Sequence, residues 1–539
     1  MRREPARPSY RSYENIAIIS VLLLASTYCV VFAIGPSNLG DDVSYSWLAH
    51  WVSIGTYQEN GGSILSIRPL QIIPIGIFYY LFGSGVYQSS AYDSISFVLT
   101  VFLTYLIGKE LYNWKVGTLS AFFMAIFPLA AIHAVTMSDN IPLMFFATFA
   151  IFAFIKGIKT KKEKWYVLSG VLTCACGFIM PEGFMFWIVM FVMLLWQIRI
   201  NGFNSKNLYI HGIIGFIAMF AVMLFFNYLN SGNAIITFTS TASYYSNLTR
   251  PDLLPPPISE SLIYYPSVMF PYEFSFHPSQ LPNDLSTLIS TTGQPINKVG
   301  IFFYLVIPAF AYLLYRKDSK MLIPGMWFVA GLFLLEFTPM YVGLNPPYIA
   351  LAHRLDRYLT LIGPSLCLIL SAAILEIVRS SKNRFKNTKA IILGIGVVII
   401  AATSFATISF WQQVMIDSRY TELAMAGVLG SLPSNTPIYF DAGLGNIATY
   451  MNFENLSRFY GNYNNIRNCE GFPVGAYVVV PRYVFDGFNF TPDQEVRCNN
   501  WNETLSPQLP YNNSTVAASV TSVADLFYVS SNSITLNQG

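Results

Sequence analysis

Charge is what this chain has least of. Of its 539 residues, 11% are Asp, Glu, Lys or Arg, while 54% are hydrophobic. An ordinary soluble domain carries roughly 25% charged residues, so a water-soluble globule is excluded. The formal net charge is only +3, from 31 basic and 28 acidic side chains, which gives no electrostatic case for nucleic acid as a partner. Lysine is missing altogether after Lys389. A Gly-rich phosphate loop and a serine-nucleophile motif are both lacking, and His133, His211, His277 and His353 have no metal-ligand spacing. Cysteine is scarce. Cys29, Cys174, Cys176 and Cys367 lie in apolar runs, where cysteine is a small apolar filler. Cys469 and Cys498 remain in a polar tail, where a disulfide is expected between them.

Long apolar runs are present in number. A membrane-crossing helix needs about 20 such residues, and basic flanks stay on the cytoplasmic side. Arg2, Arg3, Arg7 and Arg11 precede the first run. Further basic clusters are Lys109 with Lys115, Lys156 to Lys164, Arg199 with Lys206, Arg316 to Lys320, and Arg379 to Lys389. Placing every cluster inside predicts eleven spans: 15–34, 88–108, 114–132, 140–156, 165–180, 183–198, 208–229, 299–315, 321–340, 358–378 and 389–411. The first is read as an anchor rather than a cleaved leader, because no small-residue cleavage site precedes Asp41. The N-terminus is then cytoplasmic and the C-terminus extracytoplasmic. The apolar stretch from Pro69 to Tyr87 would reverse every later cluster if it crossed, so it is expected to lie in or near the external interface.

The expected architecture is an α-helical polytopic membrane protein of about eleven transmembrane helices, with a small α/β external domain at the C-terminus. Residues 1–411 form the transmembrane part, with external loops 35–87 and 230–298, and residues 412–539 form the external domain. Tyr45, Trp47, Leu48, Trp51, Val52 and Ile54 make a helical stripe in the first loop. The second loop has six prolines between Pro251 and Pro271 alone and reads as an irregular binding loop or lid. In the tail, 421–432 and 444–451 read as helices, and 437–441, 476–483, 526–529 and 533–536 as strands. Six Asn-x-Ser/Thr sequons, at Asn247, Asn455, Asn489, Asn502, Asn512 and Asn513, all fall in segments placed outside.

Three external loops each present a carboxylate at the membrane boundary: Asp41 with Asp42, Asp139, and Glu182. A carboxylate in a lowered dielectric becomes a better base. Helix capping is the competing role, and for Glu182 it is the preferred one. External bases break the positive-inside pattern. They are Arg68, Lys298, Arg354 and Arg357, the last followed by Tyr358. A phosphate or pyrophosphate would hold such arginines by paired hydrogen bonds, and an ion pair with Asp356 is the alternative. Acids and cations on a face without nucleotides point to group transfer from a lipid phosphate. One carboxylate takes the acceptor proton, and cations stabilise the departing phosphate.

At these residues the chain resembles the polyprenyl-phosphate-sugar-dependent glycosyltransferases of the GT-C fold, the group that includes protein O-mannosyltransferases and the aminoarabinose transferase of lipid A. Asp41-Asp42 stands where the family has its acidic pair, followed by Tyr45 and Ala49. Arg68-Pro69-Leu70 through Leu81-Phe82-Gly83 matches the Pro-rich stretch ending in Phe-Gly. Asp139 matches the second acid, Pro181-Glu182-Gly183 the turn after the fifth span, and Arg357-Tyr358 the late Arg-Tyr pair. Pro437 to Asp441 is similar to the start of the small external domain. The pair departs from Asp-Glu in its second acid, Asp42, and Arg68 stands where many members have Lys or His. The resemblance implies Asp41 as general base acting with inversion, and Asp139 orienting a hydroxyl or holding a divalent metal. It implies Arg354 and Arg357 at the lipid phosphate; Arg68, Lys298 and Tyr358 are further candidates there by their placement outside, with Glu182 in support. The donor would be a polyprenyl- or dolichyl-phosphate sugar, with mannose or another hexose, and the acceptor a protein, lipid or glycan hydroxyl. A transporter or lipid-linked-sugar flippase is the rival reading.

Overall fold

The computed structural model describes residues 10–36, 41–58, 65–201, 206–241, 301–337, 339–344, 347–351, 356–380, 383–431 and 437–440, together with six strand segments beyond them. The chain opens with α1 (Tyr10–Val31), then runs through two short helices of the first loop, α2 (Asp42–Ser53) and α3 (Pro69–Phe82). α4 (Val86–Leu111), α5 (Trp114–Ala125), α6 (Pro128–Ala134), α7 (Asn140–Thr160), α8 (Glu163–Cys176), α9 (Gly183–Asn201) and α10 (Lys206–Ser231) follow. After residue 300 come α11 (Phe302–Tyr315), α12 (Leu322–Phe337), the hairpin β1 (Pro339–Leu344) and β2 (Pro347–Leu351), and a tight 3-10 segment, Asp356–Ile362. α13 (Gly363–Ser380) and α14 (Asn383–Ser431) complete the helices.

A helix stands at each of the eleven expected positions, but they are not equal in length. Among the described residues eight are long and apolar enough to cross a membrane. A ninth results if α5 and α6, bent by 60°, count as one span. The bend has a local cause: Pro128 has no N–H to donate and starts α6 as its first residue. α8 and α11 have 14 residues each, roughly 21 Å of helix, short of a bilayer core. α3 is also 14 residues long.

α7 and the segment Arg357–Ser380 form the centre of the bundle, each with 72% of its apolar window buried, against 17% for α10. Phe302 at the start of α11 meets Phe123 and Phe127 edge-to-face, with ring centroids 5.9 and 5.3 Å apart. α8 and α10 approach so closely that a Cβ on Gly170 would fall 1.9 Å from the Gly212 carbonyl oxygen.

Ion pairs mark one end of the bundle. Glu14 at the start of α1 meets Lys109 at the end of α4, and Glu110 takes Lys156 and Lys159 from the end of α7. Arg316 after α11 pairs with Glu376 near the end of α13. The opposite ends of these helices therefore converge elsewhere, and there the acids singled out above reside.

In the tail, the helix expected over 421–432 is the last part of α14, which runs 49 residues through the expected boundary at 411. Beyond it, β3 (Ile438–Phe440), β4 (Phe459–Gly461), β5 (Tyr477–Pro481), β8 (Trp501–Leu505) and β9 (Ala524–Val529) form a five-stranded sheet in the order β4-β3-β5-β9-β8. β4, β3 and β5 are parallel, and β9 is antiparallel to β5 and β8. β6 (Tyr483–Phe485) and β7 (Phe490–Pro492) form a separate antiparallel pair. The helix expected at 444–451 and the strand at 533–536 lie outside the described residues.

Candidate active site

Asp41 occupies the cap position of α2 and Asp139 that of α7, yet neither side chain caps its helix. Both carboxylates are directed into tertiary contacts instead. One Asp139 oxygen accepts the Tyr45 hydroxyl at 2.7 Å and a bond from Arg68, and the other accepts the Asn140 amide at 3.1 Å. The same Arg68 nitrogen donates to the Tyr45 hydroxyl. Arg68 stands at the head of α3 because Pro69 starts that helix and disfavours helical backbone in the residue before it. α2 delivers Tyr45 by packing on α3, where Tyr45, Leu48 and Ala49 share a small core with Ile72, Ile75, Tyr79 and Met137.

This trio is nearly dry: the Arg68 side chain is 9% exposed and that of Asp139 1%. Burial pushes the Tyr45 phenol well above its ordinary value; Asp139 and Asp41 add to the rise and Arg68 opposes it, so Tyr45 stays a hydrogen-bond donor. Burial acts against charge on Arg68, but Tyr45, Asp139, Glu182 and Asp41 together hold the guanidinium above even its high ordinary value.

Glu182, expected to cap a helix, joins the same cluster. It is buried just before α9, hydrogen-bonds Tyr358, and feels the charges of Arg68 and Asp139. Burial raises its carboxyl above the usual range, Arg68 works against that, and Asp139 reinforces it. Arg357, at the start of the segment leading into α13, donates to Asp41 at 3.1 Å. It also lies within electrostatic reach of Asp139, Tyr358 and Tyr45. The Asp41 side chain is 33% exposed, so it is the accessible acid of the group.

The adjacent acids diverge. Asp42 is 7% exposed and interacts with Asp93, a fully buried carboxyl on α4. Sequence reasoning passed over Asp93, although a lone acid inside an apolar span was a legible signal. Its Oδ2 accepts the Ser138 N–H at 2.6 Å, and the Gln71 amide lies against it. Tyr45, read only as an aligned residue, proves to be the link between Arg68 and Asp139. The structure thus brings Asp41, Asp139, Arg68, Glu182, Arg357 and Tyr358 together at one end of the bundle. Lys298, Arg354, Cys469 and Cys498 lie outside the described residues. No group of three metal-ligating side chains occurs among the described residues, and both Asp139 oxygens are already taken up by protein donors. The donor set therefore does not fit a divalent ion as the cluster stands.

Residues 69–226, from α3 to α10, match the family model described as dolichyl-phosphate-mannose-protein mannosyltransferase. That stretch contains Asp93, Asp139 and Glu182, while Asp41 and Arg357 flank it. No curated protein sequence matches the chain. Among solved structures, ArnT from Cupriavidus metallidurans bound to undecaprenyl phosphate aligns with a TM-score of 0.53 at 10% identity, covering 88% of this chain and 94% of that one. The archaeal oligosaccharyltransferase AglB from Archaeoglobus fulgidus, in complex with an inhibitory peptide and a dolichol-phosphate, aligns with a TM-score of 0.51 at 12% identity, covering 88% and 70%. The fold is GT-C. The likeness to these structures is one of fold, and the match to the family model covers the stretch from α3 to α10.

Proposed function

We propose that the protein transfers a sugar from a polyprenyl- or dolichyl-phosphate donor to an acceptor hydroxyl at the extracytoplasmic membrane surface, with inversion at the anomeric carbon. The observation that carries this reading is the Asp41–Arg357 pair. It sets an accessible carboxylate 3.1 Å from a guanidinium, beside a buried cluster that holds both in place. The Asp41 carboxylate takes the proton of the acceptor hydroxyl as its oxygen attacks the anomeric carbon. The bond from that carbon to the phosphate oxygen breaks, and the electron pair leaves on the lipid phosphate. Arg357 is placed to meet the charge that develops there, with Arg354 and Lys298 as further cations to test. Arg68 and Asp139 neutralise each other and fix Tyr45, so their part is to shape the site's floor. No step is routed through a metal.

Mannose and a protein hydroxyl are the first donor sugar and acceptor to try, on the description of the matching family model. The test uses purified full-length protein in liposomes with radiolabelled dolichyl-phosphate mannose and, in parallel, the glucose-linked lipid. Protein, lipid and glycan acceptors are offered separately. Asp41→Asn is expected to keep the wild-type thermal midpoint and lose about 10²–10⁴-fold in transfer rate, the usual worth of a general base. Retained transfer would remove Asp41 from the role. A wild-type protein that moves the intact lipid-linked sugar across the bilayer, and transfers nothing, would establish the flippase reading instead.

A further inference from the structure

Asp93 has no part in the mechanism above, yet its placement is costly. It sits in α4, seven residues from the start of a membrane-spanning helix, with no exposed surface. An ionisable group inside a span is expensive and persists where a specific partner holds it. The partner here is a backbone N–H, that of Ser138, at a short 2.6 Å from Oδ2. Ser138 immediately precedes Asp139. The turn around it is also held on its own side, where the Ser138 carbonyl accepts from Ile141 and the Ser138 hydroxyl from the Asn140 amide, and Met137 packs on the α2–α3 core; the Asp93 carboxylate is the contact that reaches the Ser138 N–H from α4. Because the Asp139 side chain does not cap α7, its position depends on where this turn sets the Asp139 backbone.

We infer that Asp93 is a positioning residue for Asp139: through the Ser138 N–H it fixes the turn that carries the second acid, and so holds Asp139 against Tyr45 and Arg68. α3 is tied to the same stretch of α4 by the Tyr79–Ser89 hydroxyl pair at 2.6 Å and by the Tyr92 hydroxyl donating to the Leu70 carbonyl at 3.0 Å. The site's two halves, the α2–α3 pair and the head of α7, are thereby locked to a common post on α4.

The kinetic arm of the test rests on the proposed transferase activity; the exchange arm does not. Asp93→Ala removes the acceptor, whereas Asp93→Asn keeps one oxygen for the Ser138 N–H. With full-length protein in nanodiscs, Asp93→Ala should speed hydrogen–deuterium exchange across 136–141, and Asp93→Asn should restore slow exchange. In transfer assays Asp93→Ala should cost about 10²-fold in kcat, the scale of a 1 Å misplacement. KM should stay within about twofold, as for loss of a transition-state interaction, and Asp93→Asn should recover most of the rate. In an Asp139→Asn background Asp93→Ala should cost little more, because the group it positions is already disabled. If Asp93→Ala does not accumulate, Asp93→Ser, whose hydroxyl is too short to reach, takes its place. Unchanged exchange across 136–141, or an undiminished kcat loss in the Asp139→Asn background, overturns the inference. A wild type without transfer activity overturns the proposed function, and exchange alone then decides the role of Asp93.

Discussion

Arg68 and Asp139 are each too buried to lose a partner cheaply. Removing one member of a buried ion pair leaves an uncompensated charge, at a cost of about 3–5 kcal/mol. Arg68→Gln should therefore lower the thermal midpoint sharply, and adding Asp139→Asn should restore part of it, as measured on detergent-solubilised protein. Glu182 makes a separate prediction. Its folded carboxyl holds its proton to higher pH than in the unfolded chain, because burial raises it. As pH rises from the ordinary carboxylate range through that raised value, the unfolded state loses the proton first, so this group makes stability fall. Glu182→Gln removes the effect, and its thermal advantage over wild type should grow across that window; a constant difference at all pH values would refute this. The positions of Asp41, Asp139, Glu182 and Arg357 were legible because each is a charge at the border of an apolar run. Their partners were not: Arg68 meets Asp139 across 71 residues, and Glu182 meets Tyr358 from a distant segment of the chain.

At the scale of elements, α2 and α3 decide how well the site is formed. They touch where α3 has Gly76: a Cβ there would fall 2.4 Å from the Val52 Cβ and 2.9 Å from the Ala49 carbonyl oxygen. Gly76→Val should push the helices apart at an overpacking cost of about 1–3 kcal/mol. Tyr45 would move with α2, so transfer should fall more than stability does; equal losses would show that the α2–α3 contact is only structural. Apolar runs and prolines made all these helices legible. What they did not reveal was length. Apolarity cannot distinguish the 14 residues of α8 from a full span, and the apolar run 114–132 does not show the 60° bend that Pro128 introduces between α5 and α6. Continuity was hidden too, because α14 carries an apolar run into a polar one without a break.

For the whole molecule, the two ends of the bundle are chemically distinct. One is laced by lysine–glutamate pairs; the other gathers Asp41, Asp139 and Arg357. Their orientation in the membrane can be checked with single cysteines at positions 87 and 162, both exposed, in a background free of native cysteine. A membrane-impermeant maleimide applied to intact cells should label position 87 at once and position 162 only after permeabilisation. The reverse pattern would turn the site toward the cytoplasm. One further consequence follows from the distance along the chain between Asp41 and Arg357, 316 residues. Synthesis proceeds from the N-terminus, so the first acid leaves the translocon long before its guanidinium exists. A nascent polypeptide halted before residue 357 holds an unfinished centre, and competence to handle a reactive lipid-linked sugar arrives only when the last helices have been threaded home.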